Sequence, residues 1–326
     1  MQGDPVTLHT VAIIQYPPAV LDLAASLSRA VDHVTEAADA GAKLIVFPET
    51  WLTCYPAWAF GMAGWDDATA RHWHARLLAE SPVLGAPTDA EDALGALRAV
   101  AANRQVTVVM GLNERAPRGG TLYNSLVTIG PDGSTLNVHR KLVPTHSERI
   151  IWGAGDAAGL RAVDTPVGRL GGLVCWEHWM PLARQTLHAS GEQIHVAAWP
   201  ETSEIHLIAA RSYAFEGRCF VLSAGLFLAV EDIPEALREA FRIGVGPNAP
   251  ATGLLFDGGS SVIGPDGNWV VEPVRGTPGI VLARIDLSAV DRAHHDLDVV
   301  GHSARNDVFE LRVDARRREG VILRED

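Results

Sequence analysis

Two Gly-Pro-Asp-Gly turns constrain this chain more than anything else in it. One lies at 130–133, inside "TLYNSLVTIGPDGSTLNVHRK", and the other at 264–267, inside "SSVIGPDGNWVVEP". Each has β-like runs on both sides, and Gly-Pro followed by Asp-Gly is strong turn chemistry, so each predicts a hairpin. The two hairpins fall in different halves of the chain. Around them strands and helices alternate. "TLHTVAIIQY" reads as a strand, and "LAASLSRAVDHVTEAADAGA" has helical apolar spacing closed by a glycine. "KLIVFPET" is a short strand ended by Pro48, "DAEDALGALRAVAANRQ" a helix, and "VTVVMGL" a strand. Later come the strand "RLGGLVC", a helix from about Pro181, the strand "QIHVAAWP", the helix "SEIHLIAARSYAFEGR" and the strand "CFVLSAG". No linker or low-complexity tract divides them. The pattern predicts an α/β layer architecture with two sheets inside and helices outside. Residues 231–259 read as an elaborated loop holding a short helix, and loops of that length are often functional.

Composition narrows the function. With 326 residues, 47% of them hydrophobic, the chain can bury a large core. Its net charge of −12, without a basic run, argues against nucleic acid as a partner. The longest apolar stretch, "CFVLSAGLFLAV", is short of the ~20 residues a membrane helix needs. The N-terminus lacks the pattern of a secretory signal. Cys54, Cys175 and Cys219 are odd in number and widely spaced, which points to a reducing, cytoplasmic setting rather than a disulfide framework.

Three places could carry chemistry. In "GGLVCWEHWMP", Cys175 stands where a strand breaks into a turn, with Pro181 suited to the first turn of a following helix. A buried thiol and a nucleophile are both open there, but Glu177 and His178 directly behind it would be awkward unless they face a site. Glu49 ends the strand of "VFPETW" and is either a solvated loop carboxylate or a general base. A free thiol near ~8.5 and a free Glu near ~4.3 are separated by a proton-transfer cost of about 6 kcal/mol. Such a base works only if burial raises its pKa or a cation lowers that of the thiol. Lys141 in "HRKLVPTHSER" is either a surface lysine or that cation, and it would also stabilise negative charge developing on a substrate.

Glu, Lys and Cys in this order, each at a strand end, resemble the nitrilase (carbon–nitrogen hydrolase) superfamily, and specifically its true nitrilase branch. The pieces that carry the resemblance are "FPETW", "RKLVPTHSER", "CWEHWMPLAR", "EQIHVAAWP" and "YAFEGRCFVL", within a span from "VAIIQ" to "GHSARNDVF". The resemblance implies a four-layer α-β-β-α sandwich formed by a single domain over 1–326, its core at about 7–290 and its segment 291–326 in subunit contacts. It implies Cys175 as nucleophile, Glu49 as general base, Lys141 as the cation, Glu148 as a second, orienting glutamate, and the Trp176 N–H as a further donor to the developing anion. It implies hydrolysis of an organic nitrile to the acid and ammonia through a thioimidate and a thioester on Cys175. The implied partners are nitrile and water, with no metal or organic cofactor, and a homodimer that can extend into a larger oligomer or spiral. Amide hydrolysis and cyanide hydrolysis within the same superfamily are the nearest alternatives; a silent binding module and a purely structural assembly protein are more distant ones.

Aromatic residues beside these motifs, Tyr55, Trp152, Trp176 and Trp199, are candidates for the substrate pocket, with Trp152 and Trp199 equally suited to the core. His178 stands where many family members carry Asn, a weak hint of arylacetonitrile preference. Ser303 and Asn306 stand where Tyr and Pro are commoner, which bears on surface contacts more than on chemistry. His72, His74, His178, His294, His295 and His302 lack a carboxylate or cysteine at a familiar ligand spacing and read as surface or structural.

Overall fold

A computed structural model describes residues 8–84 and 92–318. The first half runs β1 (Leu8–Gln15), α1 (Leu23–Asp39), β2 (Leu44–Val46), α2 (Ala68–Ala79), α3 (Gly95–Arg104), β3 (Thr107–Arg115), β4 (Leu122–Ile129) and β5 (Thr135–Arg140). The second runs β6 (Val163–Thr165), β7 (Gly168–Val174), α4 (Pro181–Ala189), β8 (Ile194–Trp199), α5 (Glu204–Gly217), β9 (Phe220–Gly225) and β10 (Phe227–Ala229). It continues with α6 (Glu235–Val245), β11 (Leu254–Ile263), β12 (Trp269–Arg275), β13 (Gly279–Asp286) and α7 (Ser288–Ala293).

Both expected hairpins form, β4–β5 and β11–β12, and they belong to different sheets. One sheet has the order β13-β1-β2-β3-β4-β5; the other is β10-β11-β9-β8-β7-β6, with β12 beside β11. β1, β2 and β3 are parallel, as are β7, β8 and β9, so the centre of each sheet is built by crossover connections. β13 pairs antiparallel with the whole of β1, placing the last strand in the first strand's sheet.

The strand period of two divides the core into layers. Val11 and Ile13 of β1 join Leu173 of β7 and Val196 of β8 in a cluster between the sheets, a cluster that also takes in Leu187 of α4 and Tyr213 of α5. Ala12 and Ile14, the alternate residues, pack with Ala30 and Val34 of α1 and Leu97 of α3. The result is the expected four-layer α-β-β-α sandwich. No described helix is long and apolar enough to cross a membrane.

Some elements differ from the sequence reading. α2 was not expected, because Leu77 is its one fully buried residue and the apolar stripe that would announce it is weak. Its start is nonetheless encoded, since Asp67 caps it by accepting from the N–H groups of Thr69 and Ala70. α7 was not expected either. The helix expected from Asp89 starts at Gly95, and residues 85–91 lie outside the described residues. Within 231–259 the short helix is α6, an 11-residue amphipathic helix with Leu237, Ala240 and Phe241 buried.

Candidate active site

The three chemistry-bearing residues follow strand ends in the two sheets, β2 and β5 in one and β7 in the other. Glu49 follows β2, in a turn tight enough to need a glycine opposite. A Cβ on Gly111 of β3 would lie 2.1 Å from the Pro48 carbonyl oxygen and 2.7 Å from the Thr50 nitrogen. Lys141 directly follows β5, and its N–H donates to the Asn124 carbonyl of β4. Cys175 directly follows β7 with φ +53, a left-handed conformation that a non-glycine residue adopts at a cost of about 1–3 kcal/mol. The strain is held by Glu177. Its carboxylate accepts from the Val174 and Leu142 N–H groups, both at 2.8 Å, and from His139 Nε2 at 2.9 Å. One buried side chain thus ties the cysteine turn to the residue after Lys141.

All three site residues are buried, and their polar atoms converge. Lys141 Nζ donates to Glu49 Oε1 at 3.2 Å and to both oxygens of Glu148, at 3.0 and 2.7 Å. Glu148 is fixed further by the Tyr55 hydroxyl at 2.9 Å and the Thr145 N–H at 2.6 Å. Glu49 Oε1 also accepts from Asn124 Nδ2 at 2.6 Å, whereas Glu49 Oε2 has no partner among the described residues. The Cys175 sulfur and one oxygen of each glutamate lie within 4.8 Å of one another. These are metal-ligand types, but the ammonium of Lys141, bonded to both carboxylates, already supplies the cation. Among the described residues this is the one such cluster, and none of the six singled-out histidines belongs to it.

Burial dominates the electrostatics. It pushes the Glu49 carboxyl up to about 7, against the attraction of Lys141 and with the repulsion of Glu148 added. It pushes the Cys175 thiol well above its ordinary value too; Lys141 and the Trp176 N–H pull the other way. Burial also acts against the charge on Lys141, but Glu49, Cys175 and Glu148 outweigh it and hold the ammonium above the usual lysine range. Burial thus raises base and thiol together: the thiol stays protonated at rest, and the raised carboxyl is a better proton acceptor than a free glutamate. The arrangement can accept a proton at an unpartnered carboxylate oxygen while a fixed ammonium faces the charge that develops.

A cavity of about 390 Å³ reaches Cys175, and Tyr55, Glu148, Trp176, His206, Val245 and Phe256 are among its walls. Val245 and Phe256 come from the 231–259 segment, so that segment supplies part of the cavity wall. The end of α6 approaches closely because Gly244 leaves room: a Cβ there would lie 1.8 Å from the Ala57 carbonyl oxygen. Trp176, 54% exposed, stands at the rim. Trp152 and Trp199 do not line the cavity; they are core residues. Each indole N–H finds a buried partner, Asn113 Oδ1 at 2.9 Å for Trp152 and Ser223 Oγ at 3.0 Å for Trp199. Glu177 and His178 face away from the cavity as well, into the bracing around the turn.

The sequence reading missed Asn124, the one neutral side chain on Glu49. A lone Asn inside "TLYNSLV" has no local signal, because its partner is 75 residues away. Glu177 did carry one: a carboxylate three residues after Val174, the spacing at which a glutamate reaches back to a turn's first N–H.

Comparison with known proteins agrees with this geometry. The carbon–nitrogen hydrolase family model matches residues 10–295. The chain is 35% identical to an aliphatic nitrilase of Sinorhizobium fredii, over 98% of this chain and all of the relative. It is 37% identical to a nitrilase of Pseudomonas syringae pv. syringae, over 92% of this chain and 88% of that one. Its fold resembles the crystal structure of a carbon–nitrogen hydrolase from Helicobacter pylori G27, with a TM-score of 0.69 at 18% identity over 92% of this chain and 97% of that one. The chain belongs to the carbon–nitrogen hydrolase family.

Proposed function

We infer that the protein is a nitrilase, which hydrolyses an organic nitrile to the carboxylic acid and ammonia. The observation that carries the reading is the meeting of Glu49, Lys141 and Cys175 beneath one cavity, in a chain that matches nitrilases over nearly its whole length. Cys175 Sγ bonds to the nitrile carbon as its proton passes to Glu49. The nitrile nitrogen gains a proton, and a thioimidate forms. Water deprotonated by Glu49 adds to that carbon, ammonia leaves with a proton, and a thioester remains. A second water releases the acid and returns the thiol. Division of one difficult hydrolysis into covalent steps is the contribution of the nucleophile. Lys141, held by Glu148, and the Trp176 N–H oppose the charge on the tetrahedral species.

Tyr55 and Trp176 are the pocket residues of this reading. A homodimer packed through its helix layers is supported by the exposed apolar residues Leu182 of α4 and Ile208 and Phe215 of α5. The remaining features are a single domain, a C-terminal segment in subunit contacts and a cytoplasmic location, the last supported by three unpaired, buried cysteines.

The test is ammonia release from phenylacetonitrile, benzonitrile, an aliphatic dinitrile, cyanide and phenylacetamide, wild type beside Cys175→Ala. Ammonia from a nitrile, lost in the variant, is expected. Ammonia from the amide alone would refute the nitrilase reading, and turnover surviving in the variant would refute the role of Cys175.

A further inference from the structure

Behind the cysteine turn, between the second sheet and its helices, lies a chain of buried polar side chains that the reaction does not use. His178 Nδ1 is 2.6 Å from the Cys175 carbonyl oxygen. His178 Nε2 is 3.0 Å from His195 Nε2, and His195 Nδ1 is 2.9 Å from Glu192 Oε2. A carbonyl oxygen can only accept, and so can a carboxylate. Each of the three contacts needs one proton to be a hydrogen bond. Two neutral imidazoles carry only two.

We propose that His178 and His195 share one proton beyond those of the neutral imidazoles, and that this third proton positions the Cys175 turn by holding its carbonyl. The alternative places for it are unfavourable. Without it, two lone pairs would face each other at one of the three contacts. On Glu192 Oε2 it would neutralise a carboxylate whose other oxygen, Oε1, accepts from the Tyr213 hydroxyl and His188 Nδ1, and those bonds are stronger to a charged acceptor. Burial acts to raise the Glu192 carboxyl, but His195 and His188 outweigh it and hold it down at about 2. The shared cation is balanced by the Glu192 carboxylate, as a buried charge must be. It also lies against aromatic faces: Trp199 is 4.5 Å from the His178 ring, and Tyr213 is stacked on His195 at 3.7 Å.

Other titratable groups surround the pair. His188 and Arg184 come from α4, Tyr213, Glu216 and His206 from α5, and Glu177 from the cysteine turn itself. Arg184 Nη1 donates to the His178 carbonyl and Arg184 Nε to Glu216. Burial weakens the hold of both imidazoles on a proton, most of all at His178, while Glu192 acts in the opposite sense. Glu192 and the three contacts hold the third proton against burial.

The proposal rests on the role of Cys175 as nucleophile, so its test has one readout independent of turnover. Neutron diffraction from deuterium-exchanged protein, at a pH where ammonia release is maximal, should find three deuterons in the three contacts and none on Glu192. Two deuterons, or one on Glu192, would overturn it. Substitution at Glu192 supplies the second readout. Glu192→Gln places an amide N–H where Oε2 stood and leaves an oxygen for Tyr213 and His188, so neutral imidazoles then complete all three bonds. Its kcat should stay within about threefold of wild type. Glu192→Ala supplies no such donor and should lower kcat about tenfold with KM unchanged. A Glu192→Gln enzyme that loses as much kcat as Glu192→Ala refutes the proton count. If Glu192→Ala does not fold, the neutron map and Glu192→Gln decide. No ammonia from any nitrile would refute the nitrilase reading instead, whatever the deuteron count.

Discussion

Asn124 is the residue through which the pKa of Glu49 can be moved without touching the reacting groups. Its Nδ2 donates to Glu49 Oε1 at 2.6 Å, and that bond lowers the glutamate's pKa against the larger effect of burial. Asn124→Leu removes the donor and keeps similar volume within β4. A hydrogen bond to a charged group is worth about 1.5–3 kcal/mol, and Glu49 is 0% exposed, so water does not replace the lost donor. At about 1.4 kcal/mol per unit the Glu49 carboxyl should rise by about 1–2 units from its value of about 7. The base must be ionised to take the thiol proton. A higher pKa keeps it protonated over more of the range, so the loss falls on the acid side. The acid limb of kcat/KM should move to higher pH by that amount, with a loss of about 10- to 100-fold below both pKa values and convergence above them. The assay is ammonia release from one nitrile across pH, with chemical unfolding to show that the variant is folded. An acid limb that stays at the wild-type position, or moves to lower pH, refutes the assignment of Glu49 as the titrating base.

Other perturbations test the scaffold and the pocket. Glu177→Leu strands the Val174 and Leu142 N–H groups and His139, each at about 1–3 kcal/mol, so the unfolding midpoint should fall steeply; an unchanged midpoint would remove Glu177 as the brace of the cysteine turn. Gly244→Ala forces α6 away from Ala57 and should raise KM through the displaced Val245 wall while Cys175 remains open to alkylation; an unaltered KM would separate α6 from substrate binding. Trp176→Ala should reorder the preference among nitriles and Trp199→Phe should not, since one indole is at the cavity rim and the other in the core; the same ranking in both variants would take Trp176 out of the pocket.

The groups that react were legible in the sequence and the groups that tune them were not, for a physical reason. Glu49 and Cys175 each follow a short apolar run that ends abruptly, Lys141 follows the hairpin strand "TLNVHR", and a chain that leaves a sheet exposes its next side chain at the sheet's edge. Local pattern suffices to find such a position. Asn124, His195 and Glu192 are written into otherwise apolar surroundings, and their meaning depends on which strand lies beside them. Asn124 matters because β4 runs next to β3 and reaches the turn after β2; His195 matters because β8 places it beside His178 of a turn 17 residues earlier. Trp152 and Trp199 show the converse. Near the motifs in sequence, both turn inward because Asn113 and Ser223 satisfy their N–H groups there. A buried polar side chain is decided by its partner, and partners are a property of the assembled sheets. The functional reading of His178 changes accordingly. It does not line the substrate cavity; it reaches the site through the Cys175 carbonyl that it holds and through Trp199, which packs against His206 of the cavity wall.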